Sequence, residues 1–428
     1  MEIKDIYSLV QGHRVTTDTR NIATGDVFFA LKGENFDGNT FAKQAIEAGA
    51  CMAIIDNPEY AELPRTLLVE NTLHTLQQVA AYHRHVLGIP IIGITGTNGK
   101  TTTKELCHAV LSQKFNTVAT KGNLNNHIGV PLTLLSMDST TQLGIVEMGA
   151  NHPGEIEFLC NIADPDFGLI TNIGEAHIEG FGSKQAIIET KTALYRHVAA
   201  KGGKVFVNSI DQLLIEQASG IEQETYGDTG TIAKGQLMQS IPSMVLDLYT
   251  PHGHRYIKTN LIGGYNYHNA MAAAALGRYF EIDDDKIVAA IEQYTPGNMR
   301  SQLIKSESNT IVLDAYNANP TSMNVAVSNF ANIQNPKKIV ILGEMRELGH
   351  READAHAELV NLVLEQDFHK IYFVGKPFEI HKDRASNIIW SANTDTLIEL
   401  LKIEKPENSI IFVKGSRGNR LERIVEYL

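Results

Sequence analysis

The stretch GITGTNGKTTTK, residues 93–104, has the residue types of a phosphate-binding loop. In a turn between a strand and a helix, backbone N–H groups and the helix N-terminus attract an anion. Lys100 would then reach the β- and γ-phosphates, and the Thr101 hydroxyl would be a ligand of Mg²⁺. The strict pattern G-x-x-x-x-G-K-[ST] needs glycine at 94, where isoleucine stands, and glycine occurs at 96 instead. A glycine-rich turn without ligand is the weaker alternative, so we predict a nucleotide site of a different build.

Three further side chains follow the next strands and could act beside this loop. Glu147 ends the run IVEMGAN, where a carboxylate can hold Mg²⁺ against the phosphates. His177 lies in the loop after a third strand and could bind a divalent metal. Lys191 lies on a helix that should return beside the site. Taken singly, each could instead be a solvent-exposed residue.

Amide side chains near two other predicted elements could contact a nucleotide or a substrate. Asn266 and Asn269 open a helix, where their amides could read an adenine edge or simply cap the helix. Asp314 ends the strand TIVLDAY, and Asn317 and Asn319 follow it before Pro320. This second group could face a cleft between domains, or form an Asx-rich turn.

The elements that must position these residues alternate along the chain. Apolar strands and amphipathic helices follow each other from about residue 86, which is typical of a parallel sheet covered on both faces. A second series begins near residue 310 and predicts a Rossmann-like doubly wound sheet, closed by the helical stretch NRLERIVEYL. The first 85 residues predict a small α/β domain. We therefore predict an α/β protein with three domains, at 1–85, 86–295 and 296–428.

Bulk composition excludes several classes of protein. The formal net charge of -12 disfavours nonspecific nucleic-acid binding. No apolar run reaches the ~20 residues of a membrane span, and the N-terminus lacks the pattern of a signal peptide. Three widely spaced cysteines indicate neither a disulfide framework nor a metal site. We expect a cytoplasmic protein without membrane insertion, and a monomer.

Taken together, the motifs resemble the Mur ligases, the ATP-dependent amide-forming enzymes of peptidoglycan synthesis. TGTNGKT is the form that their phosphate loop takes, which accounts for the residue at 94. The phrases that are similar to the branch adding D-alanyl-D-alanine to UDP-N-acetylmuramoyl tripeptide are GNLNNHIGVPLTLL, NIGEAHIEGFGS, DAYNANPTSM, LGEMRELG and KGSRGNRLE. The N-terminal TTDTRNIATGDVFFALKGENFDGNTF is similar to the UDP-sugar-binding domain of the family.

The resemblance implies a role for each matching residue. The nucleotide-binding residues that it implies are Gly96, Thr97, Asn98, Gly99, Lys100, Thr101, Thr102, Asn266, Asn269, Arg300 and Asp314. The implied metal ligands are Thr101, Glu147, His177 and Lys191, with two Mg²⁺ ions and with Lys191 carbamylated, and the catalytic set is Lys100, Glu147, His177 and Lys191. The implied substrate contacts are Thr19, Arg20, Lys32 and Gly33 for the uridine nucleotide, Asn125 and Asn126 for the muramyl part, and Asn317 and Asn319.

The activity that this resemblance implies is ligation through an acyl phosphate, in which ATP is consumed and Mg²⁺ is bound. The two small-molecule substrates that it implies are the tripeptide nucleotide and D-alanyl-D-alanine. The third residue of the tripeptide, lysine or diaminopimelate, stays open. One rival is an amide ligase of the same fold that adds glutamate to a folate-like substrate, which the YNANP and LGEM phrases disfavour. The other is a nucleotide-switched binding protein, disfavoured because no guanine-reading N-K-x-D element occurs.

Overall fold

The structure is a computed structural model that describes residues 1–176, 178–241, 243–297 and 299–428. It contains three main sheets that follow one another along the chain. Helices pack on these sheets, which confirms the predicted α/β class. Within the described ranges, no helix is long and apolar enough to cross a bilayer.

The N-terminal sheet is small and parallel, with strand order β1-β2-β5-β6, and β3 and β4 form a separate hairpin. Its strands are β1 (Val15–Thr16), β2 (Val27–Phe29), β3 (Lys32–Gly33), β4 (Phe36–Asp37), β5 (Met52–Ile55) and β6 (Thr66–Leu68). Its helices are α1 (Ile3–Val10), α2 (Ala42–Glu47) and α3 (Thr72–Leu87). Asn71 caps the start of α3 through its side chain, and Gly88 ends it with φ of 60°.

The central sheet has nine strands in the order β15-β14-β13-β12-β11-β10-β7-β9-β8. Its strands are β7 (Ile91–Thr95), β8 (Thr117–Ala119), β9 (Leu143–Glu147), β10 (Phe167–Ile170), β11 (Lys204–Asn208), β12 (Gln223–Gly227), β13 (Ala233–Gln239), β14 (Val245–Thr250) and β15 (Gly253–Lys258). Its helices are α4 (Lys100–Leu111), α5 (Gly129–Leu135), α6 (Glu155–Ala163), α7 (Ile178–Phe181), α8 (Lys184–Ala200), α9 (Gln212–Gln217), α10 (Tyr267–Tyr279) and α11 (Asp284–Gln293).

All residues of β7 and β9 are buried, as expected for parallel strands covered on both faces. The chain crosses from β9 to β10 on the other side of β7, so the order reverses at the carboxyl end of β7. Such a switch point is where open α/β sheets bind ligands. The predicted central sheet was incomplete, because β13 extends it parallel to β12, and β14 and β15 extend it further with antiparallel pairing.

The C-terminal sheet has the order β16-β17-β21-β18-β19-β20, and only β16 is antiparallel among the described strands of this sheet. Its strands are β16 (Gln302–Lys305), β17 (Thr310–Asp314), β18 (Lys338–Gly343), β19 (Lys370–Val374), β20 (Ile388–Ser391) and β21 (Ile410–Lys414). Its helices are α12 (Pro320–Ala331), α13 (Glu352–Leu364) and α14 (Thr394–Ile403).

Two predictions from the sequence, the closing helix and the domain limits, can be compared with the local structure. The stretch predicted as a closing α-helix is a 3₁₀-helix over Leu421–Tyr427, and Arg420 before it has φ of 53°, a conformation that does not propagate an α-helix. The predicted limit at 85/86 falls in the last turn of α3, and the limit at 295/296 falls between α11 and β16. Both domain limits stay predictions.

Candidate active site

A cavity of about 880 Å³ lies where the carboxyl ends of central and C-terminal strands face each other. Its wall also includes Leu73 and Gln77 of α3, so all three sheet regions contribute. The predicted site residues that line it are Thr97, Asn98, Gly99, Lys100, Thr101, Thr102, Asn125, Asn126, Glu147, Asn266, Asn269, Arg300, Asp314, Asn317 and Asn319. These predicted residues, which are up to 222 positions apart in the chain, therefore meet in one cavity.

The glycine at position 96 has a steric reason. Its φ is 144°, and an added Cβ would lie 1.9 Å from Oγ1 of Thr171 at the end of β10. That hydroxyl donates to the Asn98 carbonyl at 2.6 Å, and the Asn172 carbonyl accepts from the Thr97 N–H at 2.9 Å. The loop is thus held against the neighbouring strand end, and a side chain at 96 would push it away.

Lys100 is the first residue of α4, directly after Gly99 with φ of 82°. Its Nζ donates to the carbonyls of Gly96 at 2.7 Å and Thr97 at 3.0 Å. Burial lowers the pKa of Lys100 to about 8, although nearby Glu147 opposes that shift. The first N–H groups of a helix have no partner within it, so the ammonium and these N–H groups together favour a phosphate.

Glu147, at the end of β9, is 1% exposed and has two oxygens in different settings. Oε1 accepts from Thr101 Oγ1 at 3.1 Å and from Asn125 Nδ2 at 2.8 Å. Oε2 is buried and has no hydrogen-bond donor among the described residues, with Lys104 Nζ 4.0 Å away. A buried carboxylate oxygen without a donor next to a threonine hydroxyl fits a hard divalent cation that also takes phosphate and water oxygens.

No group of three or more His, Cys, Asp or Glu side chains that could hold a metal lies within the described parts of the chain. Mg²⁺ usually takes one or two carboxylates together with substrate phosphates, and the Thr101–Glu147 pair is compatible with that mode. His177, which the sequence predicted as a metal ligand, lies outside the described residues.

Lys104 was missed by the sequence reasoning. It lies one helical turn after Lys100 and is 2% exposed, and its Nζ donates to the Thr120 carbonyl at 2.7 Å and the Gly122 carbonyl at 3.4 Å. A lysine on an amphipathic helix normally faces solvent, so its position in the sequence gave no signal. In the fold, its ammonium group lies between Glu147 and the loop that leads to Asn125.

Lys191 lies behind the phosphate loop rather than in the cavity wall. It is 3% exposed, and its Nζ donates to the Gly96 carbonyl at 3.2 Å. Burial, together with the nearby Lys100 charge, lowers the pKa of Lys191 to about 7. The helix α8 thus returns beside the site, and the amine that it brings is easily deprotonated.

Asn266 and Asn269 form a chain of hydrogen bonds at the start of α10. Asn269 Oδ1 accepts from Thr103 Oγ1 at 3.0 Å, and its Nδ2 donates to Asn266 Oδ1 at 3.0 Å. Asn266 Nδ2 donates to the Ile262 carbonyl at 2.9 Å. Each amide keeps unused hydrogen-bonding capacity toward the cavity, while the observed bonds fix α10 against α4.

The C-terminal strands bring a second carboxylate to the cavity. Asp314 ends β17 and pairs with Lys414, which ends the adjacent β21, at 2.5 Å. The other carboxylate oxygen accepts from the Ser301 N–H at 3.3 Å. Arg300 lies over the Tyr316 ring at 3.9 Å, and its Nε is buried without a hydrogen-bond partner among the described residues. Lys414 and Tyr316 were missed, although both lie in motifs quoted from the sequence.

The C-terminal region also touches the phosphate loop directly. Asn319, which caps α12, donates from Nδ2 to Asn98 Oδ1 at 2.9 Å. The Asn317 carbonyl accepts from Lys414 Nζ at 3.3 Å. The two asparagines predicted as substrate contacts therefore hold the loop and the strand end in register.

The predicted uridine-binding residues lie apart from this cavity. Arg20, in the 3₁₀-turn that begins at Thr19, is 85% exposed and forms a two-point ion pair with Asp18, which lowers the pKa of Asp18 to about 2. Lys32 pairs with Asp56 at 2.9 Å, next to Gly33. Asp56 also accepts from the Thr72 N–H at the start of α3, at 3.2 Å. That helix connects this surface to the cavity wall.

Comparison with known proteins gives consistent matches along the whole chain. Residues 11–93 match the model for the Mur ligase family catalytic domain, residues 94–277 the Mur ligase middle domain, and residues 299–417 the Mur ligase glutamate ligase domain. The UDP-N-acetylmuramoyl-tripeptide–D-alanyl-D-alanine ligase of Bacillus subtilis (strain 168) is 36% identical over 454 residues, covering 100% of this chain and 98% of that protein.

Two solved structures are similar over nearly their full length. A crystal structure of MurF from Acinetobacter baumannii has a TM-score of 0.87 and 31% identity, covering 99% of this chain and 97% of that one. A crystal structure of MurF ligase from Thermotoga maritima in complex with ADP has a TM-score of 0.84 and 27% identity, covering 97% and 96%. The three-region architecture is thus shared with these proteins.

Proposed function

This chain belongs to the Mur ligase family, and we propose that it joins D-alanyl-D-alanine to UDP-N-acetylmuramoyl-tripeptide at the expense of ATP. The observation that carries this proposal is the cavity in which a phosphate loop, a buried carboxylate and the C-terminal strand ends meet. The full-length identity to a ligase of that activity supports the same assignment.

A carboxylate and an amine do not condense in water unaided, so ATP must first activate the carboxylate. The carboxylate of the third peptide residue attacks the γ-phosphorus of ATP, giving an acyl phosphate and ADP. The dipeptide amine then attacks the acyl carbon, loses a proton and expels phosphate. Lys100 and the first N–H groups of α4 hold the transferring phosphate, since positioning and charge neutralisation carry most of such a step.

Thr101 and Glu147 are the residues that would hold Mg²⁺, through the hydroxyl and the Oε2 atom that has no donor. When bound, Mg²⁺ supplies positive charge against the phosphate oxygens. His177 and a carbamylated Lys191 are proposed to hold a second ion. Lys191 suits that modification because it is buried and its amine is readily neutral, which is the form that adds CO₂.

The remaining predicted contacts divide between the two substrates. Asn125 and Asn126 line the cavity and would contact the muramyl part, whereas Asn317 and Asn319 line it from the C-terminal region and would orient the dipeptide. The uridine end would bind farther away, near Thr19, Arg20, Lys32 and Gly33. Enclosure by three regions keeps water from the acyl phosphate, which would otherwise hydrolyse. We place the reaction in the cytoplasm, with the chain acting as a monomer.

The test is a phosphate-release assay with purified protein. We expect release only when ATP, the tripeptide nucleotide and D-alanyl-D-alanine are all present, and equal release with a single amino acid in place of the dipeptide would refute the acceptor. Lys100→Ala should abolish release, whereas Lys234→Ala, which removes an exposed lysine of β13, should not change it. Normal turnover of Lys100→Ala would refute the role of the phosphate loop.

The carbamate needs a separate experiment. Lys191→Ala should lose activity and regain part of it with added short carboxylates, because a small acid can occupy the space of the missing carbamate. Full activity of the variant without any addition would remove Lys191 from the mechanism.

A further inference from the structure

Among the described residues, three acidic side chains line the cavity, and Glu155 is the one that forms no ion pair with a lysine or an arginine. Glu147 faces Lys104 at 4.0 Å, and Asp314 pairs with Lys414. Among the described residues its ion pair is with His152, with 3.5 Å between Oε1 and Nδ1, and its charge also acts to raise the pKa of Lys191, against the larger effect of burial. Its side chain is 40% exposed, so a cationic ligand group can reach it.

The Glu155 carboxylate is held in place. It is the first residue of α6, and its Oε2 accepts from the N–H groups of Asn151 at 2.6 Å and His152 at 2.9 Å. Those two bonds leave Oε1 as the atom that can receive a ligand donor. A fixed carboxylate orients a cation better than a mobile one, because less side-chain freedom is lost on binding.

An apolar wall lies beside this carboxylate. Phe158, 44% exposed, follows Glu155 by three positions on α6 and also lines the cavity, as does Leu159. Residues three apart on a helix are neighbours, at roughly 5–6 Å between Cβ atoms. The pair thus offers a surface for a hydrocarbon stem that ends at a carboxylate, the arrangement that suits a side chain with an ammonium tip.

The position of α6 indicates which substrate meets this surface. The helix packs against α3 and α5, and Leu73 and Gln77 of α3 complete the wall on this side. The C-terminal residues that would orient the dipeptide belong to α12 and the strand ends of the other sheet. On the proposed function, the uridine end binds near Arg20 and Lys32, so the nucleotide-linked peptide would enter from the α3 side and its third residue would pass Glu155.

We propose that Glu155 and Phe158 form the subsite for the side chain of the third peptide residue, with Glu155 receiving its distal ammonium group. The inference rests on the proposed function and adds a specificity determinant to it. Lysine and diaminopimelate both carry a distal ammonium, which in diaminopimelate stands beside a second carboxylate, so the subsite selects a peptide with a distal amine over one whose side chain has none. Glu155 acts as a binding residue here, not in the phosphoryl transfer.

The experiment compares kcat/KM for UDP-N-acetylmuramoyl tripeptides that end in lysine, diaminopimelate or norleucine. The protein should prefer the better diamino peptide over the norleucine peptide by about 2–5-fold, the size expected for a half-exposed ion pair. Glu155→Gln keeps an oxygen for the two backbone N–H groups but removes the charge, and it should reduce that ratio to about 1. The faster of the two diamino peptides identifies the native third residue.

Matched variants separate this role from a structural one. Glu157→Gln makes the same charge change on the exposed face of α6, outside the cavity, and should keep the ratio. Phe158→Ala should lower kcat/KM for all three peptides in similar proportion, because each loses the same hydrocarbon contact. If Glu155→Gln lowers all three equally, or keeps the preference, the subsite is refuted. Absence of ligation with any tripeptide would instead refute the proposed function.

Discussion

Two strand ends in this molecule carry the same pair of residue types, a carboxylate and a lysine, yet leave the carboxylate in different states. In the central sheet, Glu147 has one oxygen bonded to Thr101 and Asn125 and the other without a donor, 4.0 Å from Lys104. In the C-terminal sheet, both oxygens of Asp314 are engaged, one by Lys414 and one by the Ser301 N–H.

The difference comes from where each lysine originates. Lys414 ends the strand next to Asp314, so backbone pairing of β17 and β21 brings the two charges into contact. Lys104 comes from helix α4, and its ammonium is bonded to the Thr120 and Gly122 carbonyls instead. A carboxylate whose two oxygens are both bonded to protein groups fixes the position of those groups, whereas a carboxylate oxygen without a donor can bind a ligand. We therefore read Glu147 as a ligand-binding group and Asp314 as a positioning group.

The largest expected effect separates the two carboxylates by activity. Glu147→Gln keeps the bonds from Thr101 and Asn125 but removes the charge, and it should lower the phosphate-release rate by about 10²–10³-fold, as for loss of one electrostatic contact in an active site. Asp314→Asn should cost less, about tenfold, because it shifts Arg300 and Ser301 indirectly. Steady-state kinetics of both variants would check this, and a larger loss in Asp314→Asn would reverse our assignment.

The next expected effect is on stability, and it concerns the Asp314 site rather than the Glu147 site. Lys414→Met leaves the Asp314 charge without its partner at a site where both side chains are at most 15% exposed. Breaking a buried pair from one side costs about 3 kcal/mol of unfolding free energy. Urea unfolding followed by Trp390 fluorescence suits this test, since the single tryptophan of the chain lies in β20 of the same sheet.

The double variant Lys414→Met with Asp314→Asn supplies the control for that experiment. It should regain at least about 1 kcal/mol of the loss, because the residual buried charge is gone. A double variant as unstable as the sum of its parts would show that the two residues act independently.

A gradual effect, spread over several pH units, extends the comparison to Lys191, a buried lysine bonded to a carbonyl. Burial lowers its pKa to about 7 from the ordinary value of 10.5, so between these values the unfolded chain binds more protons than the folded one. Stability should therefore rise with pH across this window, by about 1 kcal/mol per pH unit from this group. Below pH 7 the full cost of burying the charge remains.

Lys191→Met should remove this slope and be more stable than the wild type near pH 6. Urea unfolding by circular dichroism in CO₂-free buffer at pH 6 to 9 would measure it, with Lys184→Met at the exposed start of α8 as control. Parallel pH profiles for the wild type and Lys191→Met would contradict the lowered pKa.

The alternation of strands and helices predicted most of the fold because fully buried parallel strands leave continuous apolar runs, as in β7 and β9. The antiparallel extension β13–β15 was not predicted, because its strands are partly exposed and carry polar residues such as those of AKGQLMQ. The closing stretch looked helical by its pattern, but Arg420 within it is left-handed and the residues after it form a 3₁₀-helix. The spacing of apolar residues does not predict the backbone dihedral angles of a single residue.

The sequence by itself determined the phosphate loop, the carboxylate after the next strand, the family and the ligation that relatives perform, because these depend on residue types at short spacing. Only the tertiary structure decided which oxygen of Glu147 has no donor and that Lys104 and Lys414 are buried beside carboxylates. It also decided that Glu155 forms no ion pair with a lysine or arginine among the described residues. Those facts depend on side chains from different elements meeting in one cavity, and no spacing along the chain encodes that meeting.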